Sequence, residues 1–185
     1  MARVRLNKTE DLPEDYRWMF DRMEKNNSNL NIFRALSHSP EAMRRFMKFG
    51  QYLLGEGKLD AKLREMAILK AGYICRSPYE FSQHIAFARR VGLSDDQIRA
   101  IADPTAGVFA PHELAVLTYA AELTSEARAS DAAFAAVAAF LSDEQIVELT
   151  LTIGFYNMVS RTLNALEVDV DAPAQADLTA LGVAF

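Results

Sequence analysis

The chain has 185 residues, with 20 Lys and Arg against 25 Asp and Glu and a net charge of −5. That length fits one domain with a full core, and the acidic balance argues against nonspecific nucleic-acid binding. Half the residues are hydrophobic and only 8 are Gly and 6 Pro, which excludes a low-complexity chain and a turn-rich all-β fold. The single cysteine, Cys75, excludes an internal disulfide, a multi-cysteine metal site and any mechanism that needs two thiols in one chain.

The first residues, Met1 to Lys8, contain no apolar stretch of the kind a secretory signal needs. The longest unbroken apolar run, Ala132 to Leu141, is about half of a membrane span. A soluble, cytoplasmic protein without membrane or nucleic-acid partners is the expectation.

Helix punctuation dominates the chain. Pro13 opens a helix over Glu14 to Lys25, and the polar break Asn26-Asn27-Ser28-Asn29 ends it. A short helix through Ile32, Phe33 and Leu36 follows. Ser39-Pro40 reads as an N-cap with a first-turn proline for a helix to about Leu54, which Gly55-Glu56-Gly57 terminates. From about Asp60 to Cys75, apolar residues cover more than one face, as expected of a central helix. Ser77-Pro78 starts another, ending at Gly92. Ser94-x-x-Gln97 and Ser142-x-x-Gln145 are capping boxes, the second opening a long helix to about Leu166. Between them lie a loop through Asp103 to Gly107, a helix from Pro111 to about Ser125, and one from Ala132 to Phe140 capped by Ser130-Asp131. The Leu93–Ile98 and Leu141–Ile146 segments echo each other, either as two good capping boxes or as a duplicated helical hairpin. The tail, Asp169 to Phe185, is Ala-rich with an apolar end. Strand and hairpin signals are nearly absent. The expected fold is all-α, a single helical bundle of about seven or eight helices.

One constellation has chemical potential. Glu80 and His84 are four apart on one helix and so share a face. The turn at Arg76-Ser77-Pro78 folds that helix back near the one bearing Glu65. A His beside carboxylates can shuttle protons near neutral pH. Two readings stand for each residue. Ser77-x-x-Glu80 is itself a capping box, His84 also fits a core or interface histidine, and Glu65 has Lys62 three positions back as a salt-bridge partner. Glu65, Glu80 and His84 have a spacing that permits a metal, with one Glu-x3-His pair and one further ligand. Tyr73, Tyr79, Tyr156, Asn157 and Arg161 are candidates for lining a pocket, Arg161 as a bidentate partner for a carboxylate. His38 and His112 read as surface residues beside helix starts.

The pattern Glu65, eleven residues, Ser77, two residues, Glu80, three residues, His84 resembles the carboxymuconolactone decarboxylase and alkylhydroperoxidase D-like superfamily. Leu63-Arg64-Glu65-Met66-Ala67-Ile68, Tyr79-Glu80-Phe81-Ser82-Gln83-His84, Gly92-Leu93-Ser94 and Phe155-Tyr156-Asn157 carry the same resemblance. The redox branch of that superfamily has cysteines where this chain has Ser77 and Glu80, and a Ser and a Glu cannot cycle through a disulfide. The resemblance therefore implies a metal-free, cofactor-free branch acting on a small oxygenated acid or lactone. His84 is then the acid/base, Glu65 orients it or holds a proton, Glu80 is a second carboxylate or only the helix cap, and Ser77 is a hydrogen-bonding group. It implies residues 1–28 as a helical extension, 29–168 as the family domain, 169–185 as a tail, and homo-oligomerisation, to which the tail and the Trp18 helix would contribute apolar surface. Two alternatives stay open: a peroxidase using Cys75 with an external thiol, and a noncatalytic helical module.

Overall fold

The computed structural model describes residues 1–102, 104 and 107–185. Among the described residues, ten helices follow a 3-10 turn at Thr9–Asp11, and no strand forms. They are α1 (Glu14–Lys25), α2 (Asn31–Leu36), α3 (Pro40–Gly55), α4 (Ala61–Ile74), α5 (Pro78–Arg90), α6 (Asp95–Ala100), α7 (Pro111–Glu126), α8 (Asp131–Ala138), α9 (Asp143–Leu166) and α10 (Ala172–Leu181). Of the expected loop at 103–107, Asp103, Thr105 and Ala106 lie outside the described residues. No described helix is long and apolar enough to cross a membrane.

α4 is the hub. Asp60 caps it by accepting from the Lys62 and Leu63 N–H groups, and the helix then packs against α5, α7 and α9. Leu63 and every residue from Glu65 to Gly72 are buried, so nearly all faces of this helix are covered. Even Lys70 is buried, its ammonium donating to the Ile101 carbonyl at 2.8 Å. One core joins α4 to α5, α7 and α9 through Met66, Leu69, Phe81, Ile85, Leu117 and Leu149. A second lies on the other side of α4, where Ile68 and Tyr79 meet α2, α3 and the Phe155–Leu163 stretch of α9. α1 is fastened to α3 by Met19, Phe20, Met23 and Met43.

The α4–α5 turn is a Schellman motif. Arg76 adopts the left-handed region at φ 50, the Ser77 N–H bonds to the Gly72 carbonyl, and the Arg76 N–H bonds to the Tyr73 carbonyl. Pro78 at the first helical position then sends α5 back along α4.

Glu148 staples the α3–α4 loop. Its buried carboxylate accepts from the Lys58 and Leu59 N–H groups, each at 2.7 Å, and from the Tyr52 hydroxyl at 3.0 Å. A Cβ at Gly57 would lie 3.0 Å from that carboxylate, so a side chain there would have to push the staple aside by a few tenths of an ångström. Glu148→Ala leaves two loop N–H groups without their acceptor, and a loss of about 2–4 kcal/mol in urea unfolding is expected. A loss under about 1 kcal/mol would show that water replaces the staple.

Some local expectations fail for reasons of packing. The boxes at Ser94–Gln97 and Ser142–Gln145 form, and Ser130 caps α8. Ser39 and Ser77 do stand at helix starts, but neither side chain makes a cap bond. The tail contains α10, which packs on α5 and buries Ala174, Leu178 and Leu181. Phe185 lies 5.6 Å from the Tyr73 ring and 5.5 Å from Phe81. Much of the apolar surface that the sequence assigns to association is thus spent within the chain.

Candidate active site

Glu65 projects from the fully buried face of α4, and α5 presents Glu80 and His84 one turn apart. The His84 Nδ1–H donates to Glu65 Oε2 at 2.7 Å, and Nε2 lies 3.1 Å from Glu80 Oε1. Arg64 Nε reaches the other Glu65 oxygen at 3.3 Å. Burial, the largest single influence on His84, opposes its charge, but the Glu65 carboxylate and the hydrogen bonds to Glu65 and Glu80 outweigh it and push the pKa up to about 10. The ring is therefore an imidazolium between two carboxylates. With Arg64, the cluster has two positive and two negative groups and no net charge.

This arrangement decides between the sequence readings. Glu80 does not cap α5; its carboxylate is turned to His84. Glu65 takes Arg64 and His84, while Lys62 pairs with Glu113 at 2.6 Å. Both ring nitrogens of His84 face carboxylates, and among the described residues no group of three His, Cys, Asp or Glu is arranged to hold a metal ion.

His84 and Glu80 form part of the wall of a cavity of about 500 Å³ between α2, α3, α5 and α9. The rest of that wall is mainly apolar, with Ile32, Phe33, Phe46, Leu54, Phe155 and Val159 prominent. Gly50 lets α3 approach α9, since a Cβ there would lie 3.2 Å from the Phe155 ring. The Tyr156 ring stands edge-on to His84 at 4.9 Å. Burial, then the charges of Glu80 and Glu65, raise the Tyr156 hydroxyl well above its ordinary pKa, so it is a neutral donor. Its hydroxyl makes no hydrogen bond to any described residue. Two further wall residues are held from outside. Tyr79 OH accepts from the Ile32 N–H at 3.0 Å and donates to Asp171 at 2.6 Å, and Gln83 donates to the same Asp171 oxygen at 2.9 Å.

The remaining candidates fall elsewhere. Ser77 is fully buried, its Oγ has no hydrogen-bond partner among the described residues, and it is not part of the cavity wall. Tyr73 packs against Phe81 and the C-terminal Phe185 and is not part of the cavity wall. Arg161 is exposed on the outer face of α9, so it cannot hold a carboxylate in the cavity. Asn157 is engaged structurally, donating to Thr124 and the Ile153 carbonyl. Cys75 is half-buried, 3.5 Å from Asn157 Oδ1, and burial pushes its thiol pKa up. His38 and His112 are exposed. Sequence reasoning missed Arg64, Gln83 and Asp171. Only Arg64, adjacent to Glu65, had a local signal.

Residues 40–122, which include Glu65, Glu80 and His84, match the sequence profile of the carboxymuconolactone decarboxylase family. Solved structures agree. An AhpD protein of unknown function from Agrobacterium tumefaciens superposes with a TM-score of 0.70 at 26% identity, over 74% of this chain and 95% of that one. The family match and this structure support the carboxymuconolactone decarboxylase and alkylhydroperoxidase D-like superfamily for this chain. Its fold is also that of a peroxidase-related protein with an alkylhydroperoxidase AhpD core from Ralstonia eutropha JMP134, with a TM-score of 0.81 at 20% identity over 94% of both chains. The debrominase Bmp8, as a Cys-to-Ala variant in complex with 2,3,4-tribromopyrrole, superposes with a TM-score of 0.82 at 18% identity over 98% of this chain and 100% of that one. No curated protein matches the chain. Within the superfamily, this chain joins the Glu65–His84 pair to a third ionisable group, Glu80, and has one cysteine, which lies off the cavity.

Proposed function

We propose that this protein is a cofactor-independent acid/base enzyme, lyase- or isomerase-like, acting on a small oxygenated organic molecule. The observation that carries the reading is a buried His84 ring that hydrogen-bonds Glu65 through Nδ1 and ion-pairs with Glu80 through Nε2, at the wall of an apolar cavity large enough for a substrate. The geometry supports roles that differ from those expected from sequence. His84 faces a carboxylate at each ring nitrogen, so Glu80 is the base that meets the substrate. Glu80 removes a proton from a carbon next to a carbonyl, the electron pair moves onto the carbonyl oxygen, and the Tyr156 hydroxyl hydrogen-bonds that developing oxyanion. Glu80 then returns the proton to the same or a neighbouring carbon. His84, steadied by Glu65, keeps its charge throughout and stabilises the Glu80 carboxylate.

The test is deuterium incorporation from D2O into a panel of small lactones and ketones, followed by NMR beside a peroxide-reduction assay. Incorporation into at least one compound is expected, and Cys75→Ser should retain it fully. Cys75 is outside the cavity and its raised thiol pKa is the opposite of what a reactive cysteine needs. Peroxide reduction that disappears in Cys75→Ser, with no deuterium exchange by the wild type, would replace this reading with a thiol peroxidase.

A further inference from the structure

The charge arrangement at the cavity bears on which substrates can enter. Among the described residues, no Arg or Lys lines it, and Glu80 contributes a carboxylate. The one cationic ring in the wall, His84, is compensated by carboxylates on both sides, its Nδ1–H given to Glu65 and its Nε2 ion-paired with Glu80 at 3.1 Å. Arg64 points to Glu65 and is not part of the wall. The cluster therefore has no positive surplus to offer an incoming anion. Arg22 and Lys48 make no ion pair with described residues, but they line a separate groove beside the exposed Trp18, which meets the cavity only at Ser28, Met47 and Gln51. Of the polar wall groups near His84, Gln83 is held by Asp171, which leaves the Tyr156 hydroxyl as a free neutral donor.

We infer that the cavity takes an uncharged, largely apolar carbonyl compound (a ketone, ester or lactone) with its oxygen toward Tyr156, and that Glu80 is the residue that turns carboxylates away. This rests on the reading of the cavity as the substrate site. It narrows that reading to proton transfer without loss of carbon dioxide, since a decarboxylated substrate would have to enter as the anion. An unpaired carboxylate buried beside Glu80 loses its water and gains a like charge, and both effects act against binding.

A matched pair of probes tests this. 4-Phenylbutan-2-one and 3-phenylpropanoate differ by a methyl group in place of a carboxylate oxygen, and their binding at pH 7 can be followed by ligand-observed NMR. The ketone should bind the wild type at least about tenfold more tightly than the acid. In Glu80→Gln the gap should narrow to within about threefold, mainly through tighter acid binding. Tyr156→Phe should weaken the ketone by about three- to tenfold and leave the acid unchanged. Equal or tighter binding of the acid by the wild type overturns the inference, as does the absence of ketone binding or an unchanged gap in a folded Glu80→Gln variant. The wild-type comparison and Tyr156→Phe decide the matter if Glu80→Gln does not fold. These are binding measurements, so a ketone preference without deuterium exchange would leave this inference standing and overturn only the proposed proton-transfer activity.

Discussion

His84→Ala is expected to lose about 3–5 kcal/mol of stability at pH 8 and to lower any turnover by a factor of about 10²–10⁴. The substitution removes the cation that stands between Glu65 and Glu80, both buried, at 2.7 and 3.1 Å. Arg64 compensates Glu65 in part from 3.3 Å, but among the described residues Glu80 has no other ionic partner. Two like charges left in a dry site repel each other and lack solvent. Urea unfolding at pH 8 measures this. A variant within about 1 kcal/mol of wild type at pH 8 would mean that water enters the site and solvates the carboxylates. The convergence of three ionisable groups could be anticipated from their spacing, but the structural cost of removing one of them could not, because that cost comes from burial.

The wild-type protein should lose stability as the pH rises from about 6.5 toward about 10. The folded state holds the His84 proton with a pKa of about 10, against 6.5 for the free side chain. Below 6.5 both states are protonated and the full stabilisation is present. Between the two values the unfolded chain releases a proton that the folded chain keeps, so folding becomes progressively less favourable. Thermal unfolding at pH 6, 7.5 and 9 would reveal the slope. The window below 9 is diagnostic, since the Cys75 thiol and the tyrosines ordinarily titrate at 9.0 and 10.0 or above. His84→Gln should flatten the curve there. A wild-type curve already flat from pH 6.5 to 9 would mean that the ring is neutral in the folded protein.

What could be read from the sequence follows the range of the interactions involved. Helix starts at Ser94, Ser130 and Ser142 depend on atoms three residues away, and they form as expected. The pairing of Glu80 with His84 is also local, one helical turn. Ser77-x-x-Glu80 satisfies the same capping rule, yet it fails because His84 outcompetes a backbone N–H for the Glu80 carboxylate: a charged donor makes the stronger bond. Helical periodicity told that Tyr73 and Arg161 sit on particular faces. It did not tell which neighbour each face meets, and the C-terminal Phe185 and solvent, respectively, lie there. α10 itself was illegible because its Ala-rich text has little contrast between faces; its helix exists largely through packing on α5. The cavity wall draws on α2 and α3, far from Glu80 in the chain, so nothing in the spacing around His84 announced Phe33 or Phe46.

Asp171 has a consequence for the order of assembly. It is supplied 92 residues after Tyr79 and 88 after Gln83, yet it anchors both. During synthesis the hub helix and the paired carboxylates leave the ribosome well before this anchor exists. Helix α4 and its partners can therefore collapse early, while the polar rim of the cavity stays unset until α9 has been made. A nascent chain stalled short of residue 171 would have the charged cluster without the frame that shapes its cavity.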